Sequence, residues 1–375
     1  MYPVQGRCTD SPTPKQLSVI RREILFLLML AYYRRVIFYV WLVSISWLAT
    51  ACQSGNERSV PNKNIPVNRF PMKATLLRQK LLPNLPSGSG MEIIQDQLYV
   101  IGDDSPLLYQ LQTDTWEQTA TYPLFQSNDF ATGRIPKPLK PDLECLAGVS
   151  FQNKPYLLAF GSGSTAKRTT GYVVQLSPKS ETSPVVQAIS LQYLYAALQT
   201  DVAVTAGGTL NLEAAAASPE HLYLLQRSVN NGPDALLVFP LPAFMAYLQQ
   251  PTGPVPAYTV IRFQLPAING YKAGFSGASF FDDKIFITAS VENTNDAYLD
   301  GEVLGSFAGY IPVKPAPGAR VHTARLTDKN GQFYPGKVES ISILRKNAAN
   351  HYQALAITDN DNGQSELLEL ELTLP

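Results

Sequence analysis

An internal repeat runs from residue 89 to residue 375. Each unit opens with small residues around an acidic one and continues into a β-rich run, a loop rich in Gly, Asp and Asn, and a second β-rich run. A recurring unit of this length is typical of propellers and solenoids. The openings are centred on Glu92, Glu144, Glu213, Ser276 and Glu339.

The repeat predicts an all-β fold, a β-propeller of five four-stranded antiparallel blades. The fifth unit lacks a fourth strand, and the β-rich run 73–82 stands alone before the first unit. We expect this run to become the outer strand of the last blade, closing the ring and removing an open sheet edge. Six blades are the alternative, with the extra blade within 191–204 or 241–256. A β-sandwich would not predict five similar openings.

Composition excludes several classes of protein. At 45% apolar residues the chain is too hydrophobic to be disordered. Its three cysteines show no disulfide framework or zinc-ligand spacing, and its three histidines are not paired at helical spacing. No nucleophile elbow, phosphate-binding loop or zinc-hydrolase motif is present.

The first 51 residues have the layout of a secretory signal peptide. Arg34 and Arg35 precede an apolar run over 36–51, and Cys52 follows small residues. This order is similar to the lipobox of bacterial lipoproteins, in which the cysteine is lipidated. The run is short for a membrane span, which needs about 20 residues. Residues 1–28 contain three prolines, and a start at Met29 would give a normal signal length.

The predicted mature protein is a lipidated Cys52, a flexible tether to residue 72 and a propeller over 73–375. Residues 1–51 hold six of the 30 basic and two of the 30 acidic residues, which leaves the remainder with a net charge of −4. Nucleic-acid binding calls for a basic surface, so that class is disfavoured. We expect a monomer in the bacterial cell envelope, anchored to the membrane by lipid and facing the periplasm or the cell surface.

The repeated acidic positions predict a ring of carboxylates around a channel. Such carboxylates repel one another unless a cation compensates them, and Ca²⁺ is a natural candidate outside the cytoplasm. The alternative is that each glutamate accepts backbone N–H bonds from the neighbouring blade and fixes blade docking. The candidate metal ligands are Glu92, Glu144, Glu213, Glu339, Asp104 and Asp359.

Polar loops on the same face supply candidate ligand-binding residues. Loops on a rigid scaffold commonly carry function, and the longest polar insertion runs over 292–310. The candidates are Arg168, Arg227, Glu292, Asp296 and Asp361.

The repeat openings, the strand end 98–104 (Leu-Tyr-Val-Ile-Gly-Asp-Asp) and the closing segment 356–361 (Ala-Ile-Thr-Asp-Asn-Asp) resemble the phytase-like or esterase-like group of bacterial β-propellers, including an uncharacterised lipoprotein branch beside it. The resemblance covers 73–375. It implies channel carboxylates that hold Ca²⁺ ions, which bind phosphate and activate water.

Three functions fit these observations. The first is a lipid-anchored module that binds a small molecule, a glycan or a protein. The second is a Ca²⁺-dependent phosphoesterase in which Arg168 or Arg227 stabilises the phosphoryl charge. The third is a glycan hydrolase that uses two carboxyl groups as acid and base.

Overall fold

Antiparallel strands form most of the regular structure in the computed structural model, which describes residues 71–177, 183–228, 232–293, 301–313, 321–360 and 362–375. The signal region, Met29, Cys52 and most of the tether lie outside the described residues. The described residues belong to one compact unit.

The described strands form five four-stranded units, each antiparallel throughout. Unit 1 comprises β2 (Gly88–Ile94), β3 (Gln97–Gly102), β4 (Leu107–Gln112) and β5 (Gln118–Pro123). Unit 2 comprises β6 (Leu143–Phe151), β7 (Lys154–Gly161), β8 (Thr170–Gln175) and β9 (Val185–Ser190). Unit 3 comprises β10 (Leu212–Ala217), β11 (His221–Gln226), β12 (Asp234–Pro240) and β13 (Thr259–Phe263).

Units 4 and 5 are joined in one eight-stranded sheet. Unit 4 comprises β16 (Gly274–Phe281), β17 (Lys284–Glu292), β18 (Val303–Pro312) and β19 (His322–Thr327). Unit 5 comprises β20 (Val338–Ala348), β21 (His351–Thr358), β22 (Ser365–Thr373) and the N-terminal β1 (Lys73–Leu82). A small hairpin, β14 (Ala267–Ile268) and β15 (Tyr271–Lys272), precedes unit 4.

Strand β1 supplies the fourth strand of unit 5, as the sequence predicts. It pairs antiparallel with β22 along its length, and Ala74 and Thr75 pair in parallel with the end of β19. The parallel pairing joins unit 5 to unit 4. The first and last parts of the repeat region therefore share one hydrogen-bonded sheet.

Two-residue turns set the register between the first two strands of three units. Both turn residues have a positive φ, which matches the twist of a tight hairpin. These pairs are Gln95 and Asp96, Gln152 and Asn153, and Asp282 and Asp283. The first and second strands of these three units are thus joined by tight hairpins.

Helices occupy the two stretches, 191–204 and 241–256, in which a sixth blade was the alternative. The prediction of a further blade is wrong for both stretches. Helices α1 (Gln192–Thr200) and α2 (Val202–Thr205) lie between units 2 and 3, and α3 (Leu241–Gln249) connects β12 to β13. A 3₁₀ turn at Asn128–Phe130 is the remaining described helical element. None of the described helices has the length and apolar character needed to cross a membrane.

Five apolar clusters lie between neighbouring units in the described part of the chain. One joins units 1 and 2, the next units 2 and 3, and so on through units 4 and 5. The fifth packs Met91 and Val100 of unit 1 against Leu355 and Ile357 of unit 5. The first strand of each unit contacts that of the next, and β20 contacts β2. The first strands thus surround a common axis.

We predict that Leu76→Ala in β1 will lower the free energy of unfolding by about 2–4 kcal/mol, since it removes buried methyl groups from the cluster between units 4 and 5. Leu81→Ala is the matched control, because Leu81 lies on the same strand and is 45% exposed. Urea unfolding of both variants is the measurement. Equal effects of the two substitutions would contradict the packing of β1 in this cluster.

Candidate functional site

A β-bulge interrupts the first strand of every unit at one equivalent point. Each bulge inserts one residue between two consecutive pairs with the second strand, and such a bulge re-aims its side chain. The five inserted residues are Ser89, Glu144, Glu213, Ser276 and Glu339. Four of the five predicted repeat positions are therefore equivalent. The expectation for Glu92 is wrong, because Ser89 holds this position in unit 1.

The bulge serines bind the backbone of the next unit. Ser89 Oγ donates to the carbonyl oxygen of Leu143, and Ser276 Oγ donates to that of Val338 at 2.7 Å. Both acceptors immediately precede the bulge glutamate of the following unit. In units 1 and 4, the residue at the bulge is a neutral serine that binds the next unit. In the other three units, it is a glutamate.

Glu92 lies three residues beyond the bulge and links three units. Its carboxylate accepts hydrogen bonds from Ser342 Oγ of unit 5 at 2.9 Å and from the backbone N–H of Gly148 of unit 2 at 3.3 Å. Burial raises its pKa to about 7, although these hydrogen bonds oppose the rise. These contacts match the docking alternative for Glu92.

Charged residues beside the bulges form a cluster, here called the charged mouth. Its carboxylates are Asp103, Asp142, Glu144, Glu213, Glu292 and Glu339, and its cations are Lys140, Arg168, Arg227 and Lys337. Three of the five candidate ligand-binding residues belong to it: Arg168, Arg227 and Glu292.

The first half of the mouth comes from units 1 and 2. Lys140 Nζ contacts Asp103 Oδ2 and lies 3.1 Å from Asp142 Oδ1, and Arg168 Nη1 lies 2.7 Å from Asp142 Oδ2. Oxygens of Asp103, Asp142 and Glu144 lie within 4.8 Å of one another, so this trio could hold a metal ion. An ammonium group already lies against two of its three members.

The second half of the mouth comes from units 3, 4 and 5. Arg227 lies 3.6 Å from Glu213 and 3.7 Å from Glu292. Lys337 Nζ lies 2.9 Å from Glu292 and 2.9 Å from Glu339. Two cations thus connect three carboxylates in a continuous chain of ion pairs.

Burial and like charges shift the pKa values in the mouth. Burial raises the pKa of Glu213 to about 7 against the opposing effect of Arg227, and it raises the pKa of Asp103 to about 6. Burial and the neighbouring Asp142 raise the pKa of Glu144 well above its ordinary value. For Glu292, the cations Arg227 and Lys337 outweigh burial, and its pKa is lowered.

Two further candidate metal ligands lie beside Arg134. Asp104 Oδ2 accepts from Arg134 Nε at 2.5 Å and from Ser87 Oγ at 3.1 Å. Asp359 is close enough to contribute to the raised pKa of Arg134. The structure does not bring Asp104 or Asp359 into the carboxylate trio. Asp296 and Asp361 lie outside the described residues.

Sequence reasoning missed the two lysines that neutralise the mouth. Lys140 precedes the opening of unit 2, and Lys337 precedes Val338 and Glu339 in unit 5. It also left Asp142 out of the candidate metal ligands. The sequence signal that could have identified these lysines is a basic residue just before a repeated acidic position.

We predict that Glu92→Gln will flatten the pH dependence of stability. The folded protein holds the Glu92 proton more tightly than the unfolded chain, so stability falls as pH rises from about 4.5 to about 7. Relative to the variant, the wild-type protein should lose about 3 kcal/mol between pH 4.5 and pH 8, as measured by urea unfolding. Exposed Glu117→Gln is the control. Parallel curves for the wild type and Glu92→Gln would refute the prediction.

A family model described as "Family of unknown function (DUF6929)" matches residues 84–372. A search of curated proteins finds no significant match.

Remote likenesses to solved structures were also found. Glutaminyl cyclase from Myxococcus xanthus is 11% identical, with 82% of this chain and 99% of that chain covered and a TM-score of 0.45. Arabinanase Arb43A from Bacillus subtilis is 11% identical, with 80% and 96% covered and a TM-score of 0.36. The Cps50 (Swd1) β-propeller domain from Myceliophteria thermophila is 8% identical, with 77% and 99% covered and a TM-score of 0.36. Likenesses this remote carry no argument about activity.

Proposed function

The chain belongs to the DUF6929 family of unknown function, and we propose that it is a lipid-anchored, five-bladed β-propeller of the bacterial cell envelope that binds a ligand at the charged mouth. The convergence of charged side chains from all five units at the mouth carries this proposal. A site assembled from every unit exists only in the folded molecule, which is the usual way that a rigid scaffold builds a binding site.

The five-bladed arrangement is supported by the contacts between units. The first strands contact one another in succession, and β20 contacts β2. The five apolar clusters follow the same order, the fifth lying between units 5 and 1. With each unit as one blade, the bulges of all the blades lie near one end of a central axis.

Binding is favoured over metal-dependent catalysis by the way the carboxylates are compensated. Lys140 and Arg168 neutralise much of the charge in the first half, and Arg227 and Lys337 do so in the second. A buried carboxylate that lacked such a partner would need a metal ion or a proton instead. The mouth therefore has most of its charge compensation built in.

A Ca²⁺-dependent phosphoesterase is the second candidate, favoured by the trio of Asp103, Asp142 and Glu144 within 4.8 Å. Three carboxylate oxygens suit a hard cation, and Arg168 beside Asp142 could stabilise the charge of a phosphoryl group. The fit requires the Lys140 ammonium to leave Asp103 and Asp142.

The two candidates are separated by thermal unfolding of the purified protein in EDTA, in millimolar Ca²⁺ and with a panel of small charged compounds and sugars. A ligand that binds only the native state raises the melting temperature. We expect no Ca²⁺-dependent shift, and a panel compound that stabilises the wild type and exposed Glu220→Gln but not Glu213→Gln. The opposite outcome is hydrolysis of p-nitrophenyl phosphate that depends on Ca²⁺ and is abolished by Glu144→Gln. That result would favour the phosphoesterase over the binding function.

The membrane anchor is proposed from the sequence, on the order of Arg34 and Arg35, the apolar run and Cys52. We predict that bacterial cells fed labelled palmitate will incorporate the label into the wild-type protein and not into Cys52→Ser. Cys145→Ser is the matched control, because Cys145 is a buried free cysteine of unit 2. Label retained by Cys52→Ser would exclude lipidation at this residue.

A further inference from the structure

The side chains of the charged mouth are largely shielded from solvent. Those that form ion pairs are between 6% and 17% exposed. A ligand of the mouth has to touch these side chains. Part of the chain that lies between them and solvent must therefore move before a ligand can bind.

The connection from β5 to β6, residues 124–142, is the candidate for this movement. Its residues form one 3₁₀ turn, at Asn128–Phe130, and no strand or α-helix. All of them lie in the described part of the chain. A connection of more than about 15 residues with so little regular structure is uncommon in a compact domain, and such connections commonly act as lids or binding loops.

Residues 134–141 of this connection reach both halves of the mouth. Lys140 Nζ lies 3.1 Å from Asp142 Oδ1 in the first half. Glu292 belongs to the second half, and the cations around it, Lys137 among them, lower its pKa against the effect of burial. The four residues before Lys140 are exposed. The segment thus lies between the mouth and solvent.

Few contacts hold this segment in place. Ile135 is the one buried residue within 134–141, and its backbone N–H donates to the carbonyl oxygen of Asp104 at 2.8 Å. Arg134 Nε donates to Asp104 Oδ2 at 2.5 Å. Leu139 is 48% exposed. A region with so few buried apolar contacts opens at a low cost in free energy.

The two ends of the segment differ in their freedom to move. Gly133 has a φ of 84°, and a side chain added there would meet no atom within 4 Å. At the other end, Asp142 donates its backbone N–H to the carbonyl oxygen of Asp103 at 3.2 Å and pairs with Arg168. Three prolines fix φ within the segment: Pro136, Pro138 and Pro141. The segment therefore moves as a stiff piece, with Gly133 as its hinge.

We propose that residues 134–141 form a lid that closes the charged mouth and turns about Gly133 to admit a ligand. This inference rests on the proposed binding function and adds its regulation. Only molecules with an open lid bind, so the apparent affinity is reduced by the open fraction. Arg134 and Ile135 hold the lid closed through Asp104, which is outside the mouth. Weakening that attachment opens the lid without changing a charge of the mouth.

The test is the rate at which iodoacetamide labels a thiol introduced in the mouth by Glu292→Cys, with the labelled position identified by peptide mass spectrometry. We expect Arg134→Gln to raise this rate about tenfold, because it removes a charge-assisted hydrogen bond of the closed lid. Ile135→Ala should raise it as well. Arg262→Gln is the matched control and should leave the rate unchanged, because Arg262 binds backbone carbonyls of the connection between units 2 and 3.

Native Cys145 separates opening of the lid from unfolding, because it is fully buried in unit 2. Labelling at position 292 that rises while labelling of Cys145 stays constant supports the lid. The proposal is overturned if neither lid variant speeds labelling at position 292, or if Cys145 is labelled faster to the same extent. Hydrogen exchange of the wild type needs no variant: the N–H of Ile135 should exchange about 100-fold faster than those of β6, and equal protection would also overturn the lid.

Neither measurement needs a ligand, so the lid and the binding function can fail separately. Faster labelling in the lid variants, with no compound of the thermal unfolding panel acting through Glu213, would support the lid and reject the binding function. Unchanged labelling, with a compound that does act through Glu213, would reject the lid alone.

Discussion

The pairing of β1 with β22 is the contact on which the rest of the structure depends. It joins residues 73–82 to residues 365–373 and completes the fourth strand of unit 5. Without β1, the outer edge of β22 would expose unpaired backbone groups, and the cluster between units 4 and 5 would lose Ala74 and Leu76. Because each unit packs on both neighbours, a weakened contact at this point affects every interface around the axis.

The position of the first strands also determines the electrostatics of the mouth. Bulges at one equivalent point direct five side chains toward a shared end of the strands, where burial disfavours charge. Serine satisfies this position with a hydrogen bond to the next unit, as Ser89 and Ser276 do. Glutamate requires cations nearby: the charge of Lys140 acts on Glu144, and Arg227 and Lys337 lie beside Glu213 and Glu339. Charge at the bulge is therefore not needed for the fold, since two units do without it.

Much of this architecture could be predicted from the sequence, because the repeat determines the order of the strands. Strand β1 precedes the first unit, and the fifth unit is the one that lacks a fourth strand. The register between the first and second strands of each unit was harder to predict. Glu92 resembles the other acidic openings, but the bulge falls at Ser89, and only backbone pairing distinguishes the two. The two lysines, Lys140 and Lys337, were missed for a different reason. Lys140 belongs to the loop between units, and its contact with Asp103 depends on how two units pack.

Glu92 and Glu144 show why similar residues in a repeat diverge in role. Glu92 accepts hydrogen bonds from units 2 and 5, so its carboxyl group serves docking, and burial raises its pKa to about 7 against the effect of these hydrogen bonds. Glu144 is only partly buried and has Asp142, Glu213 and Lys140 as electrostatic neighbours. Substitution of Glu144 by a neutral residue relieves repulsion in the mouth, whereas substitution of Glu92 alters contacts among three units. Because a change at Glu144 leaves the hydrogen bonds of Glu92 between units in place and a change at Glu92 does not, the proposed binding site fits the bulges better than the position of Glu92.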